Sequence, residues 1–417
     1  MKMLRLCAYF APEKTASSHF YDDAYKAYSE AKIDCVCITP EPSRGISEVV
    51  RQEYKNKRVE TLYDGYVTVK RFPMMKEGRN PILRAFRFFL CSVKTYKYAI
   101  KEKDIDVLFS SSTPPIMGAV AAKVAKKLSK KYGRKVPFVY NLQDIFPDSL
   151  VTAGFAKKGG LLWKIGRKIE DYTYRNADKI IVIGEGFKQN ILEKGVDESK
   201  IEIIPNWINM DKTMPVERQN NTVFDEFSLD REKFWIVYAG NFGEVQGADV
   251  ILDAAQLLSN RSDIHFALFG GGSRFSLAKE RAKDMNNVFV HDLLPLDRVS
   301  EVYSLGDVSL ITCKNGAGKS ALPSKTLSIL ATATPVLAAF DADSDLCEMI
   351  RSVNCGICVQ PENENELADA IYRAYLERDS LEQLGLNGLK YVKENYDSKI
   401  CLDRYIEVLF NASKSGE

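Results

Sequence analysis

What the chain lacks narrows its function first. No apolar run reaches the roughly 20 residues of a membrane-spanning helix. The richest stretch, 329–340, is interrupted by Thr332, Thr334 and Pro335. The first residues, MKMLRLCAYFAPEK, hold too short an apolar segment for a signal peptide and run straight into Pro12-Glu13, so they are expected to form the first strand. The nine cysteines are odd in number and scattered, several within strand-like segments, which fits reduced thiols in a cytoplasmic protein. Cys355 and Cys358 form one CxxC with no second pair and no neighbouring histidine, which argues against a metal or redox centre. Histidine is scarce: His265 sits in a strand-like run, and at His19 capping or packing competes with proton transfer.

A phosphate-binding P-loop is also missing. Gly318-Lys319-Ser320 has the ending of one, but the glycine required five residues earlier is Cys313, and Pro323 delays the helix that should follow directly. No nucleic-acid recognition motif appears, and no nucleic-acid partner is expected. Asp341-Ala342-Asp343-Ser344-Asp345 has the look of a metal-binding DxD. It lies between an apolar strand and a helix, where Asp343 or Ser344 serves better as a cap, so no metal is expected.

What is present is the composition of a soluble globular protein, 45% hydrophobic and 27% charged, in a chain of 417 residues long enough for two domains. The net charge of +2 conceals a division. Residues 1–205 carry 37 Lys and Arg against 24 Asp and Glu; the remainder carries 21 against 32. Such a split points to an anionic partner for the first half.

Both halves alternate strand-like and helix-like segments. Strands are expected at 4–9, 33–39, 66–72, 106–111, 136–140, 179–183 and 201–204, then at 235–239, 265–269, 288–291, 307–312, 335–339 and 356–359. That alternation implies α/β architecture: two doubly wound parallel sheets, Rossmann-like, in tandem. The break falls at Pro205-Asn206-Trp207, giving domains of 1–205 and 206–390, with 391–417 as a terminal helical segment expected to pack back towards the first domain. In such sheets ligands bind beyond the carboxyl ends of the strands, so a cleft between the domains is the expected site.

Several chemistry-bearing residues fall at those ends. In the first half they are Glu13, Ser17 and His19 after the first strand, Ser112 in a Ser-Ser-Ser-Thr-Pro-Pro turn, and Gln143 and Asp144 after an apolar strand. Asp144, shielded on one side by Phe146-Pro147, suits a partly desolvated base or electrostatic stabiliser; capping of the next helix is the other reading. In the second half the ends bring in Gly240-Asn241-Phe242-Gly243, Gly270-Gly271-Gly272 and the region 320–328. Pro323 suits a first helical position, which places Lys325 in the first turn, the wrong end of a helix for a cation. Either Lys325 is a solvated lysine near a carboxylate, or an anion such as phosphate sits above it.

Taken together, these segments resemble glycosyltransferase family 4, the retaining nucleotide-sugar transferases of the two-domain GT-B fold. The nearest resemblance is to the subgroup of L-fucosamine and N-acetylhexosamine transferases of bacterial surface polysaccharide synthesis. The motifs that carry it are Gln143-Asp144-Ile145-Phe146-Pro147-Asp148, Ala177-Asp178-Lys179-Ile180-Ile181-Val182-Ile183, Ile204-Pro205-Asn206-Trp207, Gly240-Asn241-Phe242-Gly243 with Gln246-Gly247, and Pro323-Ser324-Lys325. The resemblance implies transfer of a hexosyl group from a UDP-sugar without a metal cofactor, through an oxocarbenium-like transition state. Asp144 and Gln143 would be catalytic. Gly240, Asn241, Phe242, Gln246, Gly270, Gly271, Gly272, Leu294, Leu322, Pro323, Ser324, Lys325 and Ser328 would bind the donor, and Glu13, Ser17, His19 and Ser112 would face the acceptor. The chain departs from the family where Gln143 replaces a usual His, Gln246 a usual Lys, and Ser320 and Ser328 the paired glutamates.

The basic half adds a partner. Arg84, Arg87, Lys94, Lys97 and Lys101 punctuate an aromatic helix with Phe86, Phe88, Phe89 and Tyr96; Lys157, Lys158, Lys164, Arg167 and Lys168 flank Leu161-Leu162-Trp163. Such helices suit an anionic membrane surface presenting a lipid-linked saccharide acceptor, or else simply solvate a face of the sheet. The expectation is a peripheral enzyme at the inner face of the membrane. A GT-B nucleotide-sugar epimerase and a non-catalytic nucleotide-sugar or glycan binder are the alternatives.

Overall fold

Strand–helix alternation is realised as two sheets. The computed structural model describes residues 1–13, 18–78, 80–152, 156–318 and 322–415, without the side chains of Ser18, His19, Pro81, Ile82, Ala85 and Thr152. The first sheet contains β1 (Lys2–Leu6), β2 (Asp34–Pro40), β3 (Val59–Leu62), β4 (Val67–Phe72), β5 (Val107–Ser111), β6 (Phe138–Leu142), β7 (Lys179–Val182) and β8 (Ile201–Ile203), in the order β3-β4-β2-β1-β5-β6-β7-β8. The second contains β9 (Phe234–Asn241), β10 (Ile264–Gly271), β11 (Val288–Asp292), β12 (Val308–Thr312), β13 (Val336–Ala339) and β14 (Gly356–Val359), in the order β11-β10-β9-β12-β13-β14.

Each order reverses at a central strand, β1 in the first sheet and β9 in the second, so the chain winds outward in both directions from there. The central strand β9 is apolar on both faces, as parallel strands covered by helices on each side are. Trp235 and Val237 of β9 enter one apolar cluster, while Phe234, Ile236 and Tyr238 enter the other.

The expectation of parallel pairing fails at one place. β3 pairs antiparallel with β4 (Glu60 opposite Val69) and was not foreseen as a strand. Its residues Val59, Glu60, Thr61 and Leu62 are exposed or half-buried, so hydrophobic patterning gives it little signal. The turn that reverses the chain holds Tyr63, Asp64 and Gly65 at positive φ.

The chain divides into two compact units: Met1–Asn206 together with Cys401–Glu417, and Trp207–Ile400. The chain rejoins the first unit at Cys401, ten residues after the expected start of the terminal segment at 391, partway along the helix Ser398–Lys414.

In the second unit the helix Lys325–Ala331 is held from behind by the helix Leu381–Asn395. Two glycines permit that approach. A Cβ on Gly385 would lie 1.9 Å from the Ala333 carbonyl oxygen, and one on Gly388 would lie 2.6 Å from Leu330 Cδ2. Backbone cannot yield as a flexible side chain can, so Gly385→Ala should cost about 1–3 kcal/mol by overpacking. A thermal melt should show a lower Tm; an unchanged melt would mean that the two helices are not packed this closely.

Candidate active site

The residues singled out from the sequence fall into two groups, one in each unit. In the second unit they gather at the carboxyl ends of β9, β10 and β12. β9 and β10 run in register to their last residues, with Gly240 opposite Gly270 and Asn241 opposite Gly271. Beyond them the backbone folds back tightly. Phe242 N–H donates to the Gly271 carbonyl at 2.7 Å, and Arg274 N–H donates to the Phe242 carbonyl at 2.9 Å. Phe242 is buried, its ring edge-on to Tyr238 at 5.0 Å. A Cβ on Gly270 would lie 2.2 Å from that ring, so only glycine fits there. Gly272 has φ +121, and a Cβ there would meet Asn241 Oδ1 at 2.2 Å. Gly271, by contrast, faces open space. Asn241 Nδ2 donates to Gln246 Oε1 (3.1 Å), and Thr312 Oγ1 donates to the Gln246 carbonyl (2.8 Å), tying the loop after β9 to the end of β12.

Lys325 is the centre of this group. Its helix begins at Lys325 itself. Pro323 precedes the helix rather than opening it, and Ser324 occupies the cap position without a side-chain hydrogen bond. The Lys325 side chain as a whole is half-buried, yet its Nζ is closed off from solvent and has no hydrogen-bond partner among the described residues. It lies 3.8 Å from the centroid of the Tyr238 ring, and a Cβ on Gly240 would come within 3.0 Å of it. Burial pulls its pKa down to about 7. Ser328, one turn further along the helix, is half-buried, as are Leu322 and Leu294.

The false P-loop has its own explanation. The Gly316 and Gly318 N–H groups donate to the two carboxylate oxygens of Asp341 at 2.8 and 2.7 Å, and a Cβ on Gly318 would strike the Phe340 ring. Ser344 caps the helix Asp345–Val353 through Cys347 N–H at 3.3 Å. The DxD-like run is therefore a turn anchor followed by a cap. Among the described residues no group of three or more His, Cys, Asp or Glu is placed to hold a metal ion. Ser320 lies outside the described residues.

In the first unit, Ser112 is buried, and its Oγ accepts from both Gln143 N–H (2.9 Å) and Asp144 N–H (3.1 Å). It shapes the exit of β6 and does not face outward. Asp144 is exposed and takes a hydrogen bond from Ser149 Oγ at 3.3 Å, so the expected shielding is absent although Phe146 lies nearby; Phe146 and Pro147 also pack against Gly166. Beside Asp144, Tyr140, Phe146 and Tyr174 line a recess. Glu13 is a second correction. It is buried and turned inward, accepting from Ser43 N–H (2.8 Å), Arg44 N–H (2.9 Å) and Phe10 N–H (3.3 Å). Burial pushes its carboxyl up, against those donors. It therefore fixes the loop after β2. Ser17 lies outside the described residues, as does the side chain of His19.

Sequence reading missed Tyr238, Thr312, Asn141 and Tyr405. Tyr238 was available from strand alternation, since it sits two residues before Gly240 on the same face of β9.

Comparison with known proteins identifies the family. Residues 20–212 match the family described as Glycosyltransferase Family 4, and residues 233–377 match Glycosyl transferases group 1. The chain belongs to these glycosyltransferases, with a family 4 domain followed by a group 1 domain, and it is a transferase. It is 26% identical over 345 residues to "Probable glycosyltransferase WbjE" of Pseudomonas aeruginosa, covering 80% of this chain and 82% of that one. It is 28% identical over 246 residues to "Putative colanic acid biosynthesis glycosyl transferase WcaI" of Escherichia coli K12, covering 57% of this chain and 60% of that one. Among solved structures, sucrose-phosphate synthase of Thermosynechococcus elongatus superposes with a TM-score of 0.73 at 15% identity, covering 99% of both chains. Anabaena HepE in complex with UDP gives 0.69 at 14% identity, covering 99% of this chain and 100% of that one. The fold is GT-B.

The buried ammonium has a stability consequence. Below pH 7 Lys325 is charged whether folded or unfolded, and its desolvation penalty is fully present. Between about pH 7 and its unfolded value near 10.4 the folded protein gives up the proton first, so the penalty fades as pH rises. Lys325→Met should therefore raise Tm at pH 6, with the gain shrinking towards pH 10. A Tm difference independent of pH would show that the ammonium is not desolvated.

Proposed function

We propose that this glycosyltransferase moves a sugar from a UDP-sugar, of the N-acetylhexosamine class, to a lipid-linked saccharide in surface polysaccharide synthesis. The observation that carries the donor half is Lys325: a buried ammonium at glycine-lined strand ends, without a partner among the described residues. A diphosphate would restore its charge and supply the missing partner, while the open backbone at Gly271 leaves room for a ligand to approach. The naming of WbjE and WcaI, and the UDP and UDP-glucose complexes of HepE, support this reading. In the transfer itself, Lys325 would offset the charge left on the departing diphosphate. Attack from the face the leaving group vacates would retain configuration, with the leaving phosphate as base.

Thermal shift against UDP and a panel of UDP-sugars tests this, because a ligand that binds only the folded state raises Tm. UDP should stabilise the wild type, and Lys325→Met should weaken UDP about 10–100-fold, the loss of one charge-assisted contact. Equal UDP affinity in both proteins would remove Lys325 from the donor site.

For the acceptor half, the outward face of the helix Pro81–Ala99 supports a membrane partner. Leu83, Phe86, Phe89 and Val93 are exposed on it, while Phe88 and Tyr96 pack against the core and Arg87 is buried. Leu161, Leu162 and Ile165 are exposed on the helix Leu161–Asn176, among exposed Lys164 and Lys168. Apolar faces rimmed by cations dock on anionic lipid. No described helix is long and apolar enough to cross a membrane. The protein should float with phosphatidylserine-containing vesicles, lose binding in high salt, and lose it in a Phe86→Ser/Phe89→Ser variant. Equal flotation with pure phosphatidylcholine would refute the electrostatic part.

A further inference from the structure

We propose that Tyr405, from the last helix of the chain, is a positioning residue for Gln143 and acts through Asn141. The inference rests on the transferase reading above together with the resemblance that puts Gln143, at the exit of β6, in the transfer site. Tyr405 lies on Ser398–Lys414, is 1% exposed, and packs edge-on against Phe109 of β5 with centroids 6.4 Å apart. Its hydroxyl donates to Asn141 Oδ1 at 3.2 Å. The same oxygen accepts from Gln143 Nε2 at 2.9 Å. Asn141 is in β6, immediately before the residues that leave the sheet.

Two kinds of restraint therefore act on Gln143, and they do different work. Ser112 Oγ holds its main-chain N–H and that of Asp144, which fixes the path of the backbone. Nothing in that bond determines where the long glutamine side chain points. The Asn141–Tyr405 pair does. With one Nε2–H committed to Asn141, the orientation of the amide is set, and the Gln143 carbonyl oxygen and the second Nε2–H are placed to meet sugar hydroxyls. Burial raises the Tyr405 phenol above its ordinary range, so it remains a neutral donor at every working pH. The ring alone would pack against Phe109 equally well as phenylalanine; the hydroxyl is what singles out this role.

The test is a double-mutant cycle on the full chain with Tyr405→Phe, Gln143→Ala and the pair, read by UDP release from UDP-N-acetylglucosamine. Losing one neutral hydrogen bond should lower kcat roughly threefold to tenfold in Tyr405→Phe with KM little changed. In the Gln143→Ala background the same substitution should have no further effect. Losses that multiply would overturn the proposal. A second reading needs no turnover. In protein labelled with 15N-glutamine, the Gln143 side-chain amide signals, assigned by their absence from Gln143→Ala, should shift in Tyr405→Phe towards those of a solvated glutamine. Signals that stay in place would overturn the proposal even if the cycle were ambiguous. If the wild type releases no UDP from any donor, the functional reading fails, while the amide signals still decide whether Tyr405 positions Gln143.

Discussion

An ammonium without a counter-ion among the described residues organises the second unit. Burying an unpaired cation is costly, and the face of the Tyr238 ring offsets only part of that cost. The surroundings do little else to relieve it. The helix begins at Lys325, so its exposed N–H groups add positive potential, and no carboxylate among the described residues reaches Nζ. The fall of the Lys325 pKa to about 7 and the lack of a partner for Nζ among the described residues are two descriptions of one electrostatic deficit.

The glycines around it follow from the same geometry. Gly240 leaves space for Nζ, Gly270 for the Phe242 ring and Gly272 for Asn241. Each lies where two strand ends and their loops converge within a few ångströms. Phe242 is the filler that makes the convergence rigid. It closes the apolar layer under the loops, while its own N–H and carbonyl tie the ends of β9 and β10 together. Rigidity at these exits is what a site needs if it is to hold a charged group unpaired without local collapse.

The sequence made most of this legible where periodicity and backbone chemistry speak loudly. Apolar strands, the glycine-rich exits and the division near Pro205 could be read directly, because buried parallel strands and tight turns demand those residues. β3 could not, since an exposed edge strand carries no apolar alternation. Glu13 and Asp144 were assigned environments the structure exchanges: the glutamate expected to face a substrate is buried on backbone donors, and the aspartate expected to be shielded is open. A carboxylate's surroundings depend on segments distant in sequence, here the Ser43-Arg44 loop for one and the helix at Gly166 for the other, and no local pattern encodes them.

The first unit solves a different problem from the second. Among the described residues its strand exits hold no unpaired cation of this kind next to a glycine turn; they hold polar side chains fixed by hydrogen bonds. Aiming is done by residues far away in the chain: Ser112 from the end of β5, and the last helix from the end of the sequence. Because Cys401–Glu417 belongs to this unit, the beginning and end of the chain are folded as one body. Arg5 of β1 shows the consequence. It is buried with its guanidinium against the rings of Tyr21, Tyr25 and Phe109, and Phe109 in turn meets Tyr405. The aromatic layer that shelters Arg5 thus continues into the ring whose hydroxyl reaches Asn141. Packing between the two ends of the chain and orientation of the β6 exit are therefore parts of one construction.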